Sequence, residues 1–210
     1  ISKLIYDCFH LYEEKMKKNN ALDFDDLLLK TLELFEKFPE VLQRYQERFR
    51  YILVDEYQDT NDVQFRLIDA LAEKYRNICV VGDDDQSIYR FRGANLENIL
   101  SFESHFPTCA TVKLEQNYRS TAPILNLANA VIAENPHRKS KTLWTEKKEG
   151  KKVVLEEFES AEEEARDVIR KIRREGPPYQ RFAILYRTNA QSRLFEEQCI
   201  TWNIPYQIVG

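Results

Sequence analysis

An α/β fold, a mostly parallel sheet with flanking helices, is predicted by three features of this 210-residue chain. Two short β-rich apolar runs stand close together, YILVDE at 51–56 and NICVVGDDD at 77–85. A helical stretch, DVQFRLIDALAEKY, lies between them, and each run ends in acids. Strand, helix, strand with polar groups at the carboxyl ends of the strands is the pattern of parallel α/β sheets, whose ligands bind at that edge.

The remaining elements follow in order. Ile1, Leu4, Ile5, Cys8, Phe9, Tyr12 and Met16 share one face of a first helix, and Asn19-Asn20 breaks it. A second helix is expected from Asp23 or Phe24 to about Lys37, with Leu27, Leu28 and Leu32 inward and Asp25-Asp26 near its positive end. Pro39 opens a third, running to about Arg48. After the second strand, a helix is expected at about 96–105 and a strand at 110–114. Ser120 or Thr121 can cap the helix bearing Ile124, Leu125, Leu127, Ala128, Val131 and Ile132. From 135 to 152 the periodicity gives way to Arg138, Lys139, Lys141, Lys147, Lys148, Lys151 and Lys152, which marks a domain boundary. Beyond it, strands at 153–158, 182–186 and 206–209 alternate with helices at 161–174 and 191–202.

Composition narrows the function. With 43% hydrophobic and 31% charged residues the chain can bury a core, and no run of about 18 apolar residues suggests a spanning helix. The first residues alternate apolar and charged groups and do not read as a signal peptide. Cys8, Cys79, Cys109 and Cys199 show no metal-ligand spacing; three lie in apolar surroundings and are expected as buried thiols of a reducing compartment. A net charge of −4 argues against a generic basic coat for nucleic acid but permits a local groove. The five glycines, at 82, 93, 150, 176 and 210, are too dispersed for a GxxxxGK[ST] phosphate loop. Beginning in mid-helix pattern and stopping after IPYQIV, the chain reads as a portion of a longer protein.

Three segments carry chemistry. In YILVDEYQDTN, Asp55 and Glu56 stand at the strand's ligand-binding end, where one carboxylate can hold a divalent cation and the other face an attacking water. Gln58, Asp59 and Thr60 can orient water or phosphate. In GDDDQSIYRFRG, Gln86 can sense a terminal phosphate, and three adjacent aspartates require exposure or a compensating cation. Tyr89, Phe91 and Arg92 interleave rings with guanidinium groups, which suits single-stranded nucleic acid, although the rings could equally be core. In LEQNYRST, Arg119 can neutralise a transferring phosphoryl group and Tyr118 can stack on a base.

Taken together, DEYQDTN (55–61), GDDDQSIYRFRGA (82–94) and LEQNYRST (114–121) resemble motifs II, III and IV of the UvrD/PcrA/Rep group of superfamily 1A DNA helicases. ALDFDDLL (21–28) is similar to the segment that leads back from that group's inserted domain, and YRTNAQSRLFEEQ (186–198) to its segment IVa. The resemblance implies a RecA-like P-loop NTPase fold. It divides the chain into the end of a helical insertion (1–20), an incomplete first motor domain (21–137), a basic linker (138–152) and the start of a second motor domain (153–210).

It also implies ATP and Mg2+ as cofactors. Asp55 would hold the ion, Glu56 would support it and activate the water, Gln86 and Arg119 would contact the γ-phosphate, and Tyr118 would stack on adenine. Tyr89 and Phe91 would stack on DNA bases with Arg92 near the backbone, and Arg187 and Asn189 would lie by the DNA path. Position 91 is often tryptophan in this group; phenylalanine keeps a stacking face with less area. The activity implied is 3′→5′ translocation on single-stranded DNA and unwinding of 3′-tailed duplexes in repair or replication, in a bacterial cytoplasm, nucleoid-associated, with a repair or replication protein as a possible partner and no membrane. Alternatives are the motor part of a helicase–nuclease and a non-hydrolysing relative that binds DNA or protein. Because these 210 residues hold no phosphate loop, by themselves they are expected to release phosphate from ATP far more slowly than about 1 s⁻¹, a modest enzymatic rate. A malachite-green assay with and without single-stranded DNA checks this, and DNA-stimulated turnover at such a rate would contradict it.

Overall fold

A computed structural model describes residues 2–209; Ile1, expected on the first helix's apolar face, lies outside them. The chain forms two compact units that meet in sequence between Gly150 and Lys151.

The first unit opens with three helices, α1 (Ser2–Lys18), α2 (Phe24–Lys37) and α3 (Pro39–Arg48). α2 starts where expected because Asp23 and Asp26 form a reciprocal cap: Asp26 N donates to Asp23 Oδ1 at 2.8 Å and Asp23 N to Asp26 Oδ2 at 3.3 Å. Leu32 and Phe35 are its buried apolar residues, whereas Leu27, expected inward, is exposed. Leu4, Ile5, Phe9 and Tyr12 of α1 are exposed as well.

Strand β1 (Ile52–Val54) pairs in parallel with β2 (Ile78–Val80), and α4 (Asp62–Ala72) crosses between them, so the predicted strand–helix–strand unit is present. Asn61 and Gln64 cap α4 reciprocally, each backbone bond at 2.9 Å. The strands' inward residues Ile52, Val54, Ile78 and Val80 pack on a core of Tyr57, Ala72, Phe102 and Phe106. Tyr57 meets Phe102 edge-on with centroids 5.6 Å apart. On the other sheet face, Leu53 is 80% exposed and Cys79 is exposed beside it. Of the thiols expected to be buried, only Cys199 is, and Cys109 is half-buried.

The helix expected at 96–105 divides into α5 (Glu97–Leu100) and α6 (Phe102–His105). No ladder forms at 110–114; pairing begins two residues later, where Gln116 bridges Trp144 in parallel register. Trp144 N donates to the Glu115 carbonyl at 2.9 Å and Asn117 N to the Trp144 carbonyl at 2.7 Å. In α7 (Ala122–Ile132), Thr121 occupies the cap position without a side-chain cap bond. The Lys147 carbonyl accepts from Ala122 N at 2.9 Å instead. Gly150 lies against the Thr121 side chain so closely that a Cβ there would fall 2.7 Å from Thr121 Cβ. Residues expected as a basic linker are thus bonded into the first unit as far as Lys147.

The second unit consists of α8 (Ala161–Glu175) packed on α9 (Ser192–Thr201), with Ile169, Cys199 and Ile204 as its core. Ser160 caps α8, accepting from Glu163 N at 3.2 Å. The segments 153–158, 182–186 and 206–209 are not hydrogen-bonded into strands among the described residues. A β-rich run specifies extended backbone and alternating faces, but a strand also needs a neighbour to complete its ladder. Here Leu155 is 97% and Leu185 95% exposed.

Candidate functional site

The carboxylate pair stands at the carboxyl end of β1, but strand alternation does not set its orientation. Regular pairing stops at Val54, and Glu56 takes a left-handed backbone, φ 49° and ψ 41°. A non-glycine residue held there costs of order 1–3 kcal/mol, a strain that clusters at functional sites. A bond from Glu56 N to Asp55 Oδ1 at 2.9 Å holds the turn, and the following 3₁₀ turn, Tyr57–Asp59, buries Tyr57 and Gln58.

Gln58, expected to orient water or phosphate, is turned inward: its side chain is a buried bridge. Its Nε2 donates to Glu56 Oε2 at 2.9 Å, its Oε1 accepts from Asp83 N at 3.0 Å, and its carbonyl accepts from Ser87 Oγ at 3.2 Å. One amide thereby fixes the Glu56 carboxylate and joins it to the turn after β2. Gly82 lets the bridge close, since a Cβ at that position would sit 2.7 Å from Gln58 Oε1 and 2.8 Å from Ile99 Cδ1. Thr60 adds a second seam: its carbonyl accepts from Asn95 N at 2.9 Å and from Asn98 Nδ2 at 3.1 Å.

Beside the pair, an open hollow of about 370 Å³ is lined by Val54, Asp55, Glu56, Asp59, Thr60, Gln64, Leu67 and Ile68. Asp59 Oδ1 is buried without a hydrogen-bond partner, an uncompensated acceptor. Asp55 and Glu56 offer hard carboxylate oxygens of the kind that hold divalent cations, but they do not converge with Asp59 into one cluster of ligand atoms; among the described residues the acids that do converge are Asp83, Asp84 and Asp85.

Gln86 follows at the end of a 3₁₀ turn, Asp84–Gln86, and its Nε2 donates to Asp83 Oδ2 at 2.7 Å. The cation required by the triple aspartate comes from more than fifty residues away. Lys141 Nζ lies 2.7 Å from Asp83 Oδ1, and 2.8 Å from both Asp84 Oδ1 and Asp85 Oδ2. Arg138 forks Asp85, with Nε to Oδ1 at 2.9 Å and Nη2 to Oδ2 at 2.7 Å. Burial by itself would lower the Lys141 ammonium; hydrogen bonds to the three aspartates outweigh it and hold the pKa well above the ordinary lysine value. The Arg138 hydrogen bond, as the largest cause, holds the Asp85 carboxyl below its usual range. The three acids are therefore an ion cluster in which two cations, Lys141 and Arg138, offset most of the negative charge. Neither Lys141 nor Arg138 is a residue that local spacing identifies; the signal is only that three adjacent acids need a counter-charge.

Tyr89, Phe91 and Arg92 form one surface cluster. The rings lie 6.0 Å apart, and the Arg92 guanidinium carbon is 5.1 Å from one and 5.5 Å from the other. Phe91 is 73% exposed, which excludes the core reading for that ring. Tyr118 and Arg119 are also exposed, on a loop shaped by Asn117, whose Oδ1 accepts from Arg119 N at 3.0 Å and Ser120 N at 2.7 Å. The Tyr118 hydroxyl donates to Gln116 Oε1 at 2.8 Å. Among the described residues, no hydrogen bond joins Tyr118 or Arg119 directly to Asp55, Glu56 or Gln86. In the second unit, Arg187 and Asn189 are exposed before α9, where Gln191 Oε1 accepts from Arg187 N and Thr188 N, both at 2.9 Å.

Comparison with known proteins matches residues 2–107 to the UvrD/REP helicase N-terminal domain and residues 112–210 to the UvrD-like helicase C-terminal domain. The chain is 52% identical over 212 aligned residues to the ATP-dependent DNA helicase PcrA of Staphylococcus aureus strain Mu50, covering 100% of this chain and 29% of that protein. It is 51% identical over the same span to PcrA of Staphylococcus epidermidis strain ATCC 12228, with the same coverages, 100% and 29%. The chain thus spans about 29% of the length of the curated relatives it matches. These domain families imply a RecA-like α/β fold, and the chain belongs to the UvrD/REP helicase family.

Proposed function

We propose that this chain is the middle portion of an ATP-driven DNA helicase that translocates 3′→5′ on single-stranded DNA in repair or replication. In this reading the first unit carries part of the first motor domain, preceded at 1–20 by the end of a helical insertion, and the second unit begins the second motor domain. The observation that carries it is the hydrogen-bonded continuity from Glu56 through Gln58 to the Asp83–Gln86 turn, which runs on into the exposed Tyr89–Phe91–Arg92 cluster. Groups suited to phosphate and groups suited to bases share one short stretch of backbone. The names of the PcrA relatives support the same activity.

Mg2+ with ATP would supply the charge that offsets the transferring phosphoryl group. Asp55 would hold the ion. Glu56, its carboxylate fixed by Gln58, would accept the proton of the attacking water. Gln86 and Arg119 would contact the γ-phosphate, and Tyr118 would stack on adenine. Tyr89 and Phe91 would stack on bases while Arg92 takes a backbone phosphate, with Arg187 and Asn189 along the same strand. The setting is a bacterial cytoplasm at the nucleoid, and a repair or replication protein is the expected partner.

Translocation kinetics test the reading in a full-length helicase carrying this chain. With ATP, arrival at a fluorophore on the 5′ end should be delayed in proportion to oligonucleotide length, and a 3′-end fluorophore should show no such delay. Arrival independent of ATP, or the reverse pattern, would overturn it.

A further inference from the structure

The strap at 138–147 touches both segments read above as phosphate-sensing. At one end Lys141 shares Asp83 with Gln86: the ammonium lies 2.7 Å from Oδ1, and the Gln86 amide donates to Oδ2 at 2.7 Å. Lys139 N also donates to Asp84 Oδ2 at 2.7 Å. The strap then passes to the other segment, with Thr142 N on Glu115 Oε1 at 2.9 Å and Leu143 paired with the Asn129 amide at 2.8 and 3.2 Å. It ends with Lys147 Nζ on the carbonyls of Tyr118, at 2.6 Å, and Arg119, at 3.3 Å. No other segment of the first unit is hydrogen-bonded to both sides in this way among the described residues.

Gln86 is an exposed, flexible side chain, and its amide has two N–H donors. A charge-assisted bond to Asp83 occupies one of them and restricts the rotamer, leaving the second for a phosphate oxygen. Asp83 can do this only while it is held in place, next to two more carboxylates that repel it. The Lys141 ammonium is the group that touches all three acids at once. We propose that Lys141 is a positioning residue for phosphate sensing, orienting Gln86 through Asp83 and, through the strap it anchors, keeping the Arg119 loop in register with Gln86. The proposal rests on the phosphate-contacting role given to Gln86 above.

The test is a kinetic double-mutant cycle in a full-length helicase carrying this chain. Lys141→Met should lower kcat by about 10- to 100-fold, the scale of a misplaced catalytic contact, with KM for ATP little changed. Lys141→Arg should restore most of it. In a Gln86→Ala background, Lys141→Met should cost clearly less than it does alone, because both changes interrupt the path through Asp83 and only the strap's hold on the Arg119 loop remains to be lost. Should Lys141→Met fail to fold, Asp83→Asn serves: it leaves Lys141 paired with Asp84 and Asp85 and should show the same non-additive loss with Gln86→Ala. A purely structural lysine would lower the melting temperature and the active fraction while kcat per active site held; that result, or losses that simply add, overturns the proposal. If Gln86→Ala alone leaves kcat intact, the role of Gln86 itself is wrong and this inference falls with it, whereas a damaging Gln86→Ala with an independent Lys141 effect removes the inference alone.

Discussion

Glu56→Gln in a full-length helicase carrying this chain should lower ATP turnover by ~10²–10⁴-fold, the usual consequence of losing a general base. The substitution preserves shape. An amide oxygen can still accept from Gln58 Nε2, so the buried bridge to Asp83 survives and the left-handed turn keeps its support. What disappears is the carboxylate proposed to accept the water's proton, and with it one negative charge. Nucleotide affinity should change little, while Asp55→Ala should weaken magnesium-dependent nucleotide binding. Phosphate release measured beside equilibrium nucleotide binding separates these outcomes, and near-normal turnover in Glu56→Gln would show that another group activates the water.

Phe91→Ala should weaken binding of a single-stranded oligonucleotide by about 1–3 kcal/mol, the typical worth of one stacked base. That corresponds to roughly 5- to 150-fold in Kd. The ring is 73% exposed and is flanked by Arg92 and Tyr89, so its removal opens no cavity in the core of the first unit. The melting temperature should therefore hold. A buried phenylalanine would behave differently, costing about 3–5 kcal/mol of stability and lowering every activity together. Fluorescence-anisotropy titration and thermal melting of the same protein distinguish the two; unchanged affinity in a normally folded variant would take Phe91 off the DNA path.

Features set by neighbouring residues were legible in the sequence. The Asp23 start of α2, Pro39 at the start of α3 and the β1–α4–β2 unit arise from caps, fixed backbone angles and periodicity within a few positions. The positions of Asp55, Glu56 and Gln86 after the two strands follow from the same local pattern. Features set by distant partners were not. The segments 110–114, 153–158, 182–186 and 206–209 have strand-like composition, yet composition does not name a ladder partner, and the bridge near the first of them joins Gln116 to Trp144, inside the basic segment. Gln58 resembled a ligand-facing polar residue, and only tertiary packing turns it inward to bridge two motifs. The need for a cation at Asp83–Asp85 was legible, but not that Lys141 and Arg138 supply it, because the chain returns to the triplet only after more than fifty residues.

In the proposed function, one hydrogen-bonded body couples the Asp55–Glu56 pair, read as phosphate-facing, to the Tyr89–Phe91–Arg92 cluster, read as base-stacking. The decisive quantity is the ratio of ATP hydrolysis rates with and without single-stranded DNA, compared between the unaltered full-length protein and Phe91→Ala at saturating oligonucleotide. DNA should raise the rate strongly in the unaltered protein, and the ratio should collapse toward one in the variant. A ratio preserved in Phe91→Ala would contradict the coupling.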